Sequence, residues 1–177
     1  MAVLRKGKEM KLARKNFLVV LALLFVFLAG CGSKEEKRLN MGDNAPLFSA
    51  TDIKGDAVNL AGLKGKAVVL RFFEPDCRYC KADTAVFNKY YEQYHDKGLE
   101  IIYVDVSPDA NLVKSFVSEL KIRFPVIQDS KGEISARYLV KVVPQAVVLS
   151  PDLKIMGAVM GGVSETELNQ LLAKYLH

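Results

Sequence analysis

The sequence predicts an α/β fold, in which a central mixed β-sheet is flanked by helices and carries an N-terminal strand extension. Three observations predict it. Strand-like and helix-like segments alternate through most of the chain. The apolar segment Ala67–Phe73 (AVVLRFF) is typical of a central strand covered on both faces. Two apolar segments flank a Pro151-Asp152 turn near the C-terminus, which indicates an antiparallel hairpin on one side of the sheet.

The strands follow from short apolar runs bounded by turn residues. An extension of two short strands surrounds the turn Lys54-Gly55-Asp56, ahead of the central strand. In chain order, the predicted strands are residues 48–51, 58–60, 67–73, 99–106, 125–128, 146–149 and 155–160.

The helices follow from apolar and aromatic residues at helical spacing. The first is the longest, and Lys97-Gly98 ends it. Ser107-Pro108 supplies a cap and a first-turn proline for the second. In chain order, the predicted helices are residues 77–96, 109–121, 133–138 and 164–175. Tyr90, Tyr91 and Tyr94 lie at helical spacing on the first helix, which predicts core packing rather than a binding surface.

The N-terminus is typical of a bacterial export signal. Residues 1–30 begin with six basic residues and one acid, and continue into an apolar run. That run of about 12 residues is well short of the roughly 20 that a membrane-spanning helix needs. We therefore expect residues 1–30 to be cleaved.

The residues that end this segment, Leu28-Ala29-Gly30-Cys31, resemble the lipobox of bacterial lipoproteins. The resemblance implies that Cys31 becomes a lipidated N-terminus, and each buried methylene of an acyl chain contributes roughly 0.8 kcal/mol to anchoring. An ordinary signal peptide that ends near a cysteine is the alternative. Residues 31–41 then form the lipidated cysteine and a polar tether, and residues 42–177 form one domain.

Charge indicates no nucleic-acid partner. The whole chain has 25 basic and 20 acidic residues, and removing the six and one of residues 1–30 leaves 19 against 19. The basic character therefore belongs to the export signal rather than to the domain. We expect the mature chain to act as a monomer.

Cys77 and Cys80 are spaced CxxC at the start of the first predicted helix. This spacing places both side chains on one helix face, where a disulfide forms with little backbone movement. Amides at a helix N-terminus stabilise a thiolate, so Cys77 is the predicted nucleophile. Cys80, one turn inside, is the predicted resolving thiol. Half a zinc site and a structural disulfide are the alternatives; zinc needs four ligands, and no second CxxC or nearby His pair exists.

With these features the chain resembles the thioredoxin superfamily, and more narrowly its TlpA/ResA-like redoxins. The resemblance covers residues 42–177 and includes Gly42-Asp43-Asn44-Ala45-Pro46, the run at residues 60–66, the cysteine motif and Val143-Pro144 before an apolar strand. It implies a thioredoxin-like fold and a thiol–disulfide oxidoreductase with a redox-active disulfide and no other cofactor. It also implies that Pro144 is cis beside the cysteines and that Val143 and Pro144 bind the substrate backbone.

The motif departs from the family around the nucleophile. Asp76 stands where the family commonly has Trp, and Tyr79 replaces its frequent proline. Arg78 and Tyr79 lie between the cysteines and are expected to set the redox potential. Asp76 disfavours a thiolate at Cys77 and Arg78 favours it, so the net sign stays open.

Two further charged residues belong to the predicted site. Asp83 matches a position where ResA-like proteins often carry Glu, which suggests proton transfer with the cysteine pair; a solvated helix acid is the alternative. Arg71 occupies a strand position that is a buried acid in thioredoxin and often Asn in these relatives. A buried arginine needs a carboxylate, here Glu74 or Asp83. It either favours the Cys80 thiolate and the dithiol form or serves structural pairing alone.

The resemblance implies substrates that are extracytoplasmic protein thiols and disulfides, including apocytochrome c. Recycling would then need a membrane electron donor of the CcdA/DsbD type. A peroxiredoxin-like thiol peroxidase is the alternative, although Glu74 replaces the Thr or Ser that such enzymes place three residues before the reactive cysteine. A Sco-type copper carrier is disfavoured because its motif is CxxxC with a distant histidine.

Overall fold

The computed structural model describes residues 39–176. The predicted export signal and Cys31 lie outside the described residues. No helix among residues 39–176 combines the length and apolar character that crossing a membrane requires.

A five-stranded mixed sheet forms the centre of the domain. The strand order is β5-β4-β3-β6-β7, so the predicted central strand is confirmed as the middle one. β3 pairs in parallel with β4 and antiparallel with β6, and β7 completes the predicted hairpin. A separate two-stranded sheet is formed by β1 and β2. The strands are β1 Ser49–Thr51, β2 Ala57–Asn59, β3 Ala67–Phe73, β4 Leu99–Asp105, β5 Val126–Gln128, β6 Gln145–Leu149 and β7 Ile155–Met160.

Helices cover both faces of the sheet. All seven residues of β3 are buried, which is why six of them are apolar and only Arg71 interrupts the run, instead of polar and apolar residues alternating. Val69 and Phe73 point into the core cluster that contains Phe87, whereas Phe72 points into the opposite cluster with Tyr138. The α-helices are α1 Arg78–Tyr94, α2 Ala110–Glu119, α3 Glu133–Arg137 and α4 Glu165–Leu172.

Helix boundaries differ from the prediction where capping decides them. After α1 a 3₁₀ turn, His95–Lys97, follows. This turn ends at Gly98, which has a left-handed φ of 93°. α2 is capped by Asp109, whose side chain accepts a hydrogen bond from Asn111 N at 2.8 Å. The predicted cap, Ser107, instead donates its backbone N–H and its hydroxyl to the Asp105 carboxylate, each at 3.0 Å.

Both outer strands of the sheet have additional backbone partners. Beside β5, Ile53 N donates to Val126 O at 2.9 Å and Asp52 forms an isolated bridge with Ile127. At the start of β7, Ile155 exchanges hydrogen bonds with Gly42 and Asp43, at 2.8 and 2.9 Å. The segments before β1 and after it therefore cover parts of opposite edges of the sheet.

Candidate active site

Cys77 is the N-cap residue of α1. Its Sγ accepts a hydrogen bond from Cys80 N at 3.3 Å, and its own N–H donates to Glu74 O at 3.1 Å. The side chain is partly exposed. Sγ of Cys77 therefore lies at the positive end of a helix and within reach of solvent, which is the placement that stabilises an attacking thiolate.

Cys80 lies inside the first turn of α1 and is 1% exposed. Burial raises the pKa of its thiol to about 12, and a hydrogen bond with Cys77 adds to the increase, whereas the cation of Arg71 opposes it. Both cysteines are free thiols. The site thus combines an accessible sulfur with a protected one, held one helical turn apart.

The loop before β6 carries the predicted cis-proline. The Val143-Pro144 peptide bond is cis, as the resemblance implies. Gln145, the next residue, pairs with Phe72 of β3. Pro144 therefore lies near the C-terminal end of β3, from which the chain continues towards Cys77. A cavity of about 210 Å³ adjoins this loop. It is lined by Glu74, Val106, Ser135, Val140, Lys141, Val142 and Val143.

Arg71 is fully buried and forms an ion pair with Asp83. Its other terminal nitrogen donates to Gly161 O at 3.0 Å, and the guanidinium carbon lies 5.3 Å from the centre of the Phe87 ring. Glu74, the other predicted partner, is exposed. The structure therefore assigns Asp83 as the carboxylate that Arg71 needs.

Asp83 belongs to the buried face of α1 rather than to a solvated one. The residue is 7% exposed, and Oδ2 also accepts a hydrogen bond from Val163 N at 2.9 Å. Burial raises the pKa of Asp83, whereas Arg71 and the Val163 amide work against the increase. Within residues 39–176, Oδ1 has no hydrogen-bond partner. That oxygen has free acceptor capacity for a proton.

The predicted tuning residues next to Cys77 all lie on the surface. Asp76, Arg78 and Tyr79 are exposed. Arg78 donates to the Tyr79 hydroxyl at 2.6 Å, and its guanidinium carbon lies 4.6 Å from the ring centre. Water screens these charges, so their influence on the sulfurs is weaker than that of buried groups.

Sequence reasoning missed two polar residues beneath Cys80. Thr84 donates its hydroxyl to Cys80 O at 2.6 Å and lies 3.3 Å from the Tyr103 hydroxyl. Tyr103 is fully buried on β4, in register with Arg71. The available signal was a threonine four residues after Cys80 and a tyrosine within an apolar strand. The backbone groups of Gly161 and Val163, which bind the Arg71–Asp83 pair, carry no such signal.

A partly exposed N-cap thiol, a buried thiol one turn away and a cis-proline loop on a mixed sheet define a thioredoxin-fold thiol–disulfide oxidoreductase. The comparisons agree. The chain is 34% identical over 171 residues to the thiol-disulfide oxidoreductase ResA of Bacillus cereus, covering 93% of this chain and 98% of that one. The chain belongs to the AhpC/TSA family, whose model matches residues 41–158, and within the thioredoxin superfamily it is TlpA/ResA-like.

Solved structures share the fold. A putative thiol:disulfide interchange protein DsbE from Chlorobium tepidum superposes with a TM-score of 0.73 and 25% identity, over 79% of this chain and 100% of that one. A secreted Mycobacterium tuberculosis disulfide oxidoreductase, described as homologous to Escherichia coli DsbE, gives a TM-score of 0.65 and 28% identity. It covers 72% of this chain and 95% of that chain.

Proposed function

We propose that this oxidoreductase reduces protein disulfides on the outer side of a membrane, using the Cys77–Cys80 dithiol as its redox centre and no other cofactor. The observation that carries the proposal is the contrast between the two sulfurs. Cys77 is partly exposed at a helix N-terminus, whereas Cys80 is 1% exposed with a pKa raised to about 12. The first sulfur is placed to meet a substrate, and the second is placed to act only after the first has reacted.

The reaction proceeds through a mixed disulfide. The Cys77 thiolate attacks one sulfur of the substrate disulfide, and the other substrate sulfur leaves as a thiolate. Cys80 then loses its proton and attacks Cys77 Sγ, which forms the Cys77–Cys80 disulfide and releases the second substrate sulfur. Two electrons pass from the protein to the substrate. Asp83, with acceptor capacity at Oδ1 and less than one turn after Cys80, is the group we assign to take the Cys80 proton.

The cis-proline loop is the proposed substrate platform. Val143 is partly exposed and Pro144 is buried. Both lie near the C-terminal end of β3, from which the chain leads to Cys77. The backbone of Val143 would pair with an extended substrate segment, which is how main-chain hydrogen bonds give affinity without dependence on sequence. The adjoining cavity of about 210 Å³ has room for a substrate side chain.

The sequence of the N-terminal segment supports the proposed location. An export signal and a lipobox-like Cys31 favour a lipid-anchored protein facing the periplasm or the outer cell surface. One structural relative is described as secreted. Apocytochrome c is a proposed substrate among extracytoplasmic protein disulfides. A membrane donor of the CcdA/DsbD type would return the protein to its dithiol form.

The direct test is the reduction of insulin disulfides by dithiothreitol in the presence of the purified domain. The parent is expected to accelerate the reaction, and Cys77→Ser to abolish the acceleration. The reduction potential gives the direction of electron transfer: a value near about −270 mV indicates a reductant, and one near about −120 mV indicates an oxidant, which would contradict the proposal.

Peroxide consumption at a rate exceeding insulin reduction would instead support the thiol peroxidase. Labelled acyl chains retained on Cys31→Ser would contradict the proposed anchor.

A further inference from the structure

A buried polar cluster lies directly beneath Cys80, and it is composed of Arg71, Asp83, Thr84 and Tyr103. Arg71 and Tyr103 are fully buried on the adjacent strands β3 and β4, in register with each other. Asp83 and Thr84 are less than 10% exposed on the face of α1 that also carries Cys80. Four polar side chains inside an apolar core need a reason, since burial of each costs free energy unless it is paired.

Arg71 connects this cluster to the substrate side of the site. Its guanidinium binds Asp83 on α1 and donates to Gly161 O at 3.0 Å. Gly161 N in turn donates to Pro144 O at 2.7 Å. Asp83 holds the same loop a second time through Val163 N at 2.9 Å. One buried cation therefore joins the helix of the cysteines to the loop that supports the cis-proline.

The charges around Cys80 give Arg71 a direction of action. Cys77 and Cys80 lie one turn apart at the start of α1, and negative charge on Cys77 raises the pKa of Cys80. Asp83 and the Tyr103 hydroxyl face the same region from α1 and β4. Arg71 is a cation that opposes them, because it lowers the pKa of Cys80 and works against the increase that burial causes in the pKa of Asp83. Without it, Asp83 would be a buried acid without a counter-ion and would take up a proton from solvent.

We propose that Arg71 is a positioning residue for the second half of the reaction, in which Cys80 releases the substrate. This inference deepens the proposed function and rests on it. In that step the Cys80 thiol gives its proton to Asp83, and the thiolate attacks Cys77 Sγ. The Cys77–Cys80 bond forms, and the bond from Cys77 to the substrate sulfur breaks. The electron pair leaves with the substrate thiolate, and Arg71 keeps both the acceptor carboxylate and the Pro144 carbonyl in place throughout.

The two halves of the reaction are separable with a small aromatic disulfide that releases the coloured thionitrobenzoate anion. Attack by Cys77 releases the first anion, and attack by Cys80 on the mixed disulfide releases the second, so stopped-flow absorbance records two phases. Arg71→Met is expected to slow the first phase much less than the second. It is expected to slow the second by at least about tenfold, a modest share of the hundredfold or more that a positioned acid–base group typically contributes.

The pH profile separates positioning from a purely structural role. In Arg71→Met the second phase should need a higher pH than in the parent, because the Cys80 thiolate has lost its cation. Arg71→Lys should recover part of the rate. Lys89→Met is the matched control: it removes a cation whose ion pair with Glu165 is exposed, and both phases should equal those of the parent.

A second variant guards against misfolding. Arg71→Met combined with Asp83→Leu removes both members of the pair, a replacement that buried ion pairs often tolerate. If this folded double variant releases the second anion as fast as the parent, or if Arg71→Met slows both phases equally, the inference is wrong. The reagent is not a protein, so failure to reduce insulin would overturn the proposed function and leave this measurement intact.

Discussion

Replacement of Asp105 with Asn should stabilise the protein at neutral pH. Asp105 is the last residue of β4 and is fully buried beside the segment that leads to Cys77. Burial raises its pKa from 3.8 to about 6, Glu74 and Asp109 add to the increase, and the hydrogen bonds from Ser107 only partly oppose it. The folded protein thus holds a carboxylate at pH 7 in surroundings that favour the neutral acid.

The sign follows from proton binding. Between about pH 4 and pH 6 the folded chain retains a proton on Asp105 that the unfolded chain has released. The free energy of unfolding therefore falls as pH rises through this window, and levels off above it. A difference of about two pKa units corresponds to about 3 kcal/mol. The Asn side chain loses part of the hydrogen bonding from Ser107, which lowers the free energy of unfolding by about 1 kcal/mol. The expected net gain for Asp105→Asn at pH 7 is therefore about 1–2 kcal/mol.

Urea unfolding of the reduced domain, followed by circular dichroism from about pH 4 to about pH 8, measures this difference. The gain should be largest at neutral pH and should shrink as the pH approaches 4. Asp152→Asn is a suitable control, because Asp152 is exposed in a turn and its replacement should change little at any pH. A difference between Asp105→Asn and the parent that stays constant across the range would refute the reasoning.

Two further predictions concern the thiols and the packing of α1. In the native dithiol form, iodoacetamide at mildly alkaline pH should alkylate Cys77 and spare Cys80, which is 1% exposed with a pKa raised to about 12. Mass spectrometry of the digested protein should find modified Cys80 only after unfolding, and equal labelling of both would contradict this account. Tyr90→Phe should lower the free energy of unfolding by about 1 kcal/mol, because the buried hydroxyl binds the first turns of α4. Among the described residues, the Tyr94 hydroxyl binds only an exposed glutamine. Tyr94→Phe should therefore lower the free energy of unfolding less in the same urea titration.

The sheet and its central strand were predictable because their signal is local. Ala67–Phe73 is apolar except for Arg71, and the structure begins and ends β3 at those residues. The hairpin partner Ile155–Met160 was also predicted with its observed bounds. In both cases turn residues or charged residues flank the run, so neighbouring sequence fixes the ends.

The partner of Arg71 illustrates what local patterns leave undecided. The sequence offered Glu74 and Asp83 equally. Glu74 is three residues along the chain from Arg71, an odd spacing that places side chains on opposite faces of an extended strand. Asp83 follows Cys80 by three helical positions and so shares its buried face. These periodicities agree with the observed pairing but required the helix and strand bounds to be known, and the carbonyl of Gly161 and the amide of Val163 come from a distant loop that no sequence pattern identifies.

The prediction that Ser107 caps α2 was wrong for a different reason. Ser107-Pro108 matches the expected pattern for a helix start, yet Asp105 accepts both hydrogen bonds that Ser107 donates. Asp109 then takes the capping position. The two carboxylates accept from different donors, and the position of Asp105 at the end of β4 binds Ser107 there rather than at the helix start.

The coverage of the two outer strands bears on aggregation when many copies of the protein are close together. Unpaired N–H and C=O groups on a border strand invite the same groups of a second molecule, which is a common route to aggregation. Ile53 and Asp52 occupy such groups beside β5, and Gly42 and Asp43 occupy them at the start of β7. Copies of a protein crowded together on a surface would thus find few free backbone groups at these positions through which to join their sheets.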